Sequence, residues 1–331
     1  MGNNILREKI FLAGSSGMVG SSIYRALKKE GYGEEKYGGK ILIPKREELD
    51  LLNKSEVINW FKNNKPSIVI IAAAKVGGIY ANLKSPADFL LENLMIQTNV
   101  IESAWRSNVK RLIFLGSSCI YPKFSKQPIK EEYLLESQLE KTNEYYAIAK
   151  IAGIKLCESL NIQYNFDCIS LMPTNLYGPG DNYNGEESHV MAALIKKFIF
   201  AEKNNLPSVT CWGDGSPLRE FLHVDDLSDA VIFCLKNWFP KSRNAPTFDN
   251  GQPLYHLNVG TGKDLSIKEL ALTISRLTKF KGDIIWDDSK PNGTPQKKLD
   301  VNRINKLGWT HKIRLEDGIK QTISNYREYY K

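Results

Sequence analysis

Tyr146 and Lys150 stand four residues apart in EYYAIAKIAG, the spacing that puts two side chains on one face of a helix. An ammonium beside a phenol stabilises phenolate and draws it down from its ordinary value near ~10, so a tyrosine held this way can move protons at neutral pH. Ser117 lies upstream in RLIFLGSSCIYP, where an apolar run of strand length gives way to a loop and a hydroxyl can meet the same substrate oxygen. Two residues further on is Cys119. A strand-end cysteine is most often a small buried hydrophobe, but a thiol near ~8.5 also becomes a base once a cation or helix end favours the thiolate.

A nucleotide completes such a set. The first apolar run, KIFLAG, enters Gly14-Ser15-Ser16-Gly17-Met18-Val19-Gly20, a glycine turn between a strand and a helix whose unpaired amides and positive dipole end suit a pyrophosphate. The spacing is G-x-x-G-x-x-G, so the context carries the reading more than the motif does. After the second apolar run, ILIP, come Lys45 and Arg46, where an NAD-selecting fold places a carboxylate for the ribose hydroxyl. A guanidinium matches a 2′-phosphate instead, so the cofactor expected is NADP(H).

These residues need elements to hold them. Apolar runs of strand length alternate with helix-period segments through KIFLAG, ILIP, SIVIIAAA, RLIFL and FDCISLMP. Runs without polar alternation belong to strands covered on both faces. The expected fold is α/β: a Rossmann-type doubly wound parallel sheet with a smaller mixed α/β substrate lobe. Residues 1–173 form the NADP-binding domain, with segments near 219–237 and 254–262 returning to it, and 174–331 form mainly the substrate lobe. That lobe holds turn-rich stretches and ends in a helix near Leu315 to Tyr330.

Composition narrows the class. In 331 residues, 45 Lys and Arg against 37 Asp and Glu give a net charge of +8, but the basic residues are scattered in pairs, which suits a small polyanion better than nucleic acid. Five cysteines, odd in number and without a C-x-x-C pair, read as reduced thiols in a cytoplasm, with no metal site. No run approaches the ~18 apolar residues of a membrane span, and MGNNILREKIFLAG reads as neither export signal nor lipid anchor.

Glycine loop, strand-end serine and Y-x-x-x-K in this order resemble the extended short-chain dehydrogenase/reductase family, over nearly the whole chain. AAAKVGGI, GSSCIYP, YAIAKIAG, MPTNLYGP and REFLHVDD sharpen the likeness to its NADPH-dependent 3,5-epimerase/4-reductases, which convert GDP-4-keto-6-deoxy-D-mannose to GDP-L-fucose. The resemblance implies that Tyr146 protonates the C4 oxygen, Lys150 holds the nicotinamide ribose and Ser117 orients the carbonyl. It implies further that Cys119 and His189 are the acid/base pair of epimerisation at C3 and C5, whose protons are acidic because both carbons adjoin the ketone. Ala73, Leu115, Gly116, Pro173, Thr174, Asn175, Leu176 and His189 are implied at the cofactor, and Lys197, Trp212, Arg219, Asn292 and Lys297 at the GDP-sugar. His223 is read as packing, as are the other four cysteines. A homodimer through the helix bearing Tyr146 and the one after the third strand is implied as well.

The chain departs from that pattern at Ser15-Ser16, where many bacterial relatives have His-Arg, and at Asn292 and Gln296, where they have Asp and Arg. Such changes keep open C4-reduction of a GDP-4-keto-6-deoxy-heptose, with or without epimerisation. A sister class, the 4,6-dehydratases, would need an acidic pair at Ser118-Cys119. A catalytically silent nucleotide-binding protein would not need Ser117, Tyr146 and Lys150 intact.

Overall fold

The computed structural model describes residues 5–184, 188–290 and 292–329. Tyr330 and the first four residues of the amino-terminal stretch lie outside the described residues. Strands are β1 (Lys9–Ala13), β2 (Lys40–Leu42), β3 (Ile68–Ile71), β4 (Arg111–Leu115), β5 (Cys168–Pro173), β6 (Asn175–Tyr177), β7 (Ser208–Trp212), β8 (Leu218–His223), β9 (His256–Val259), β10 (Asp264–Ser266), β11 (Asp283–Asp287) and β12 (Gln296–Lys297). Helices are α1 (Met18–Lys29), α2 (Lys54–Asn64), α3 (Ile79–Lys84), α4 (Pro86–Arg106), α5 (Glu144–Tyr164), α6 (Val190–Lys203), α7 (Val224–Asn237), α8 (Ile267–Thr278), α9 (Asn302–Leu307) and α10 (Leu315–Tyr329).

Six strands pair in parallel in the order β2-β1-β3-β4-β5-β9. The apolar run IVII and the strand RLIFL, whose Arg111 pairs with Asp167 at 2.9 Å, are buried at every position, because helices cover both faces of this sheet. The chain winds outward from β1 to β2 and then crosses to β3 on the other side. That reversal makes a crevice at the carboxyl ends of β1 and β3, the usual ligand position of a doubly wound sheet.

Two packings matter for the site. Helix α5 lies against α4 and β4 through Gly153, where a Cβ would come within 2.7 Å of the Phe114 ring and 2.9 Å of Gln97. Gln97 binds the Ala149 carbonyl at 2.5 Å and fixes the two helices along their length. Helix α7 lies against α1: the Ser22 hydroxyl donates to Asp225 at 2.6 Å and accepts from Ser228 at 2.6 Å.

A second sheet runs β10-β8-β12, with β6 pairing the last three residues of β8, Phe221–His223, and β11 pairs with β7. Met191, Phe198, Phe221, Leu270 and Ile319 belong to a second apolar core beneath these strands. Within β8, Arg219 and Glu220 face opposite ways by the pleat. The fully buried Glu220 carboxylate accepts the amides of Thr261, Gly262 and Leu299 at 2.5, 2.8 and 2.7 Å. One acid thereby fastens the segments on either side of β8.

Candidate active site

The glycine turn meets the end of β3. Gly14 has φ +85, and a Cβ there would lie 2.6 Å from the Ala73 amide nitrogen, so only glycine lets the turn sit this close. Gly17 is the N-cap of α1 and no side chain caps the helix, which leaves the first-turn amides available to an anion. Ser15, Ser16, Met18, Val19 and Gly20 complete the turn and the start of α1. Arg46 is exposed beyond β2 and forms no ion pair with any described residue, while Glu48 turns back to accept the Lys45 amide at 2.7 Å. A pyrophosphate cradle with an uncommitted guanidinium beside it fits a dinucleotide carrying a 2′-phosphate.

At the end of β4, beyond Leu115 and Gly116, Ser117 caps a 3₁₀ turn, Ser118–Ile120, its Oγ accepting the Cys119 amide at 3.3 Å. The hydroxyl proton lies within reach of the Cys119 sulfur and can turn to a substrate oxygen. Cys119 is buried, and burial pushes the thiol up; Lys297, Ser117 and Lys150 each pull it down. Lys150 is buried on α5 and donates to the Leu115 carbonyl at 2.8 Å, with the Tyr146 ring centroid 5.9 Å from its Nζ. Burial lowers this ammonium to about 8.

The phenol corrects the sequence-based expectation. Tyr146 lies above the ordinary tyrosine range, because burial raises it and Cys119 raises it further. Lys150 spends a proton on a backbone carbonyl and its charge is itself weakened, so the phenol stays protonated. A protonated phenol is what a proton donor to a developing alkoxide requires.

His189 is the N-cap of α6. Solvent reaches it through the open cleft, yet the surrounding protein and the Lys297 charge both hold its imidazole below the ordinary value. A neutral ring at a helix N-terminus agrees with the dipole. Beyond β5 and its terminal Pro173, the Thr174 hydroxyl and the Asn175 amide both donate to the Glu220 carbonyl, at 3.2 and 2.7 Å, and Leu176 packs on the main core.

On the other wall, Trp212 is 43% exposed between Lys197 and Lys290, whose ammonium groups lie 5.6 and 5.5 Å from its ring. An aromatic face flanked by cations suits a base joined to a diphosphate. Lys290 carries no sequence signal; pairing of β11 with β7 brings it there. Arg219 donates to the Leu218 and Asn292 carbonyls at 2.9 and 3.3 Å, and burial lowers it to about 10. Asn292 is exposed and its side chain accepts the Asp214 amide at 3.2 Å, fixing a loop beside Arg219. Gln296 binds Asp264 at 2.6 Å and so supports the strand rather than the cleft. Lys297 pairs in register with Arg219. His223, by contrast, is buried as the N-cap of α7 with its ring on Tyr177, and the four remaining cysteines are buried too. Among the described residues no cluster of three metal-ligating side chains occurs and no helix is long and apolar enough to cross a membrane.

The sequence profile of the NAD dependent epimerase/dehydratase family matches residues 10–244. GDP-L-fucose synthase of Escherichia coli is 49% identical over 97% of both chains, and GDP-L-fucose synthase 1 of Arabidopsis thaliana is 50% identical over 96% of this chain and 93% of its own. Among solved structures, a GDP-6-OMe-4-keto-L-xylo-heptose reductase from Campylobacter jejuni superposes with a TM-score of 0.89 at 37% identity, over 98% of each chain. A GDP-L-fucose synthetase from Naegleria fowleri bound to NADP gives 0.82 at 26%, over 98% of this chain and 95% of that one.

Proposed function

This chain belongs to the NAD dependent epimerase/dehydratase family, and we propose that within it the protein is an NADPH-dependent 3,5-epimerase/4-reductase acting on GDP-4-keto-6-deoxy-D-mannose to give GDP-L-fucose. The observation that carries this reading is the joining of two proton-handling sets in one cleft: Ser117, Tyr146 and Lys150 for a carbonyl, and Cys119 with His189 for carbon acids.

The glycine turn, Ala73, the β5 end and Arg46 would hold the cofactor, which supplies the hydride for C4 when bound. Cys119 takes a proton from the carbon beside the ketone, and the electron pair moves into the C4 carbonyl, whose oxygen Ser117 and Tyr146 stabilise. His189, taking up a proton from solvent, delivers it to the opposite face and inverts the centre, and Cys119 releases its own proton to solvent to reset the pair. Tyr146 then gives its proton to the C4 oxygen as the ketone is reduced, and without the ketone exchange stops. Trp212, Lys197 and Arg219 serve the GDP portion.

The division near residue 173 into a cofactor-holding and a substrate-holding lobe is part of this proposal. So is a homodimer, supported by the exposed apolar stripe of Leu91 and Met95 on α4 and Ile148 and Ile162 on α5. The heptose reductase fold, with its higher TM-score, favours a second reading as a C4-reductase of a GDP-4-keto-heptose.

The test is product NMR in D₂O with each 4-keto sugar, for wild type and Cys119→Ser. The wild type should place deuterium at C3 and C5 of the hexose before reduction, and the variant should lose that exchange while still oxidising NADPH. Exchange by the variant at the wild-type rate overturns the role of Cys119. A wild type that reduces only the heptose, without exchange, establishes the second reading.

A further inference from the structure

We infer that Lys297 is a positioning residue for Cys119, its ammonium drawing the thiol toward the anionic form that accepts a proton from carbon. This rests on the reading of Cys119 given above. The first support is geometric. Ser118, Cys119, Glu140, Asn143, Thr294 and Lys297 wall a cavity of about 20 Å³, room for little more than one water, so Lys297 and the thiol share a space that bulk solvent does not fill.

The second support is what Lys297 lacks. Its ammonium forms no hydrogen bond or ion pair with any described residue, whereas the neighbouring cations are engaged: Lys298 with Asp264 at 3.6 Å, Lys123 with Glu140 at 2.8 Å, Arg219 with two carbonyls and Lys150 with Leu115. The surrounding carboxylates are committed as well. Glu140 serves Lys123 and the Thr142 amide, and Glu220 serves three backbone amides. Of the remaining titratable groups, Tyr146 is a phenol that stays protonated and His189 is a neutral imidazole. A half-buried cation without a partner calls for an anion, and Cys119 is the group in this wall that can become one.

The strand that carries Lys297 is held on both sides. The Gln296 side chain binds Asp264, the Lys298 amide donates to Gln127 at 2.9 Å and the Leu299 amide donates to Glu220 at 2.7 Å. Burial on balance holds the thiol above its ordinary value, and among the groups that pull it back down Lys297 exerts the largest influence, ahead of Ser117 and Lys150. The thiolate–ammonium pair is also neutral as a whole, so a mobile cation is not needed when the proton is taken.

The experiment follows the ultraviolet thiolate absorbance of Cys119 against pH in the full chain, without cofactor or substrate, as the difference between each protein and the same protein carrying Cys119→Ser. Wild type, Lys297→Met, Lys297→Gln and Lys297→Arg are compared, with circular dichroism to confirm folding. Removing the charge should move the midpoint upward by about one pH unit or more and lower the thiolate fraction at pH 7 by about tenfold, and arginine should restore most of both. Either folded neutral variant with the wild-type midpoint overturns the inference. Because the titration needs no substrate, a lysine that only grips the diphosphate leaves the midpoint unmoved. If deuterium exchange depends on Cys119 while the midpoint ignores Lys297, this inference fails alone; if Cys119→Ser exchanges normally, the functional reading fails, whatever the midpoint does.

Discussion

Replacing Lys150 by methionine should make the cofactor-free protein more stable at pH 7. The ammonium is buried at 3% exposure, with a carbonyl as its hydrogen-bond acceptor and no carboxylate in ion-pair contact, and its affinity for a proton falls from 10.5 to about 8. At ~1.4 kcal/mol per pH unit, keeping the charge there costs on the order of 3 kcal/mol. Methionine fills similar space without charge but forfeits the bond to the Leu115 carbonyl, about 1 kcal/mol. The net gain is about 2 kcal/mol, or roughly 3 °C in Tm for a chain of 331 residues. The sign reverses with pH. Between pH 8 and 10.5 the unfolded chain binds the proton that the folded one has lost, so wild-type stability rises across that window relative to the variant. Urea unfolding of both proteins at pH 7, 8, 9 and 10 checks this. A variant less stable than wild type at pH 7, or a gap that does not close toward pH 10, refutes the view that this lysine is held at a cost in stability.

Arg46→Ala should raise the KM for NADPH by about 10- to 150-fold, from ~1.5 to 3 kcal/mol of charge-assisted hydrogen bonding, with little change for NADH; equal losses in steady-state kinetics with both cofactors would exclude 2′-phosphate recognition. Tyr146→Phe should slow single-turnover reduction by roughly 10² to 10⁴, and near-normal NADPH oxidation would remove the phenol as proton donor.

Much of this arrangement is legible in the chain because its signals are local. The glycine turn, the apolar strands and the four-residue spacing of Tyr146 and Lys150 each follow from a few neighbouring residues. The chemistry between those residues is less so. Spacing alone suggests that Lys150 draws the phenol down, but the lysine's proton goes to Leu115 and burial governs both groups. The likeness that put Lys297 at the GDP-sugar could not show its place beside Cys119, because that depends on β12 pairing with β8 across nearly eighty residues of chain. Asn292 looks like a cleft residue by position, yet its amide oxygen closes a loop on Asp214. Long-range pairing and the capture of polar groups by backbone leave no periodic trace.

The alternation of Arg219 and Glu220 on β8 constrains how this lobe can change. One residue presents positive charge toward the cleft, and the next carries the acid that ties down the segments at Thr261 and Leu299. A slip of a single position would exchange them, turning a carboxylate toward an anionic ligand and leaving three buried amides facing a guanidinium. Substitutions at the cleft can therefore retune sugar preference one side chain at a time, while a one-residue shift of β8 against β10 and β12 would lose the cleft and the fastening together.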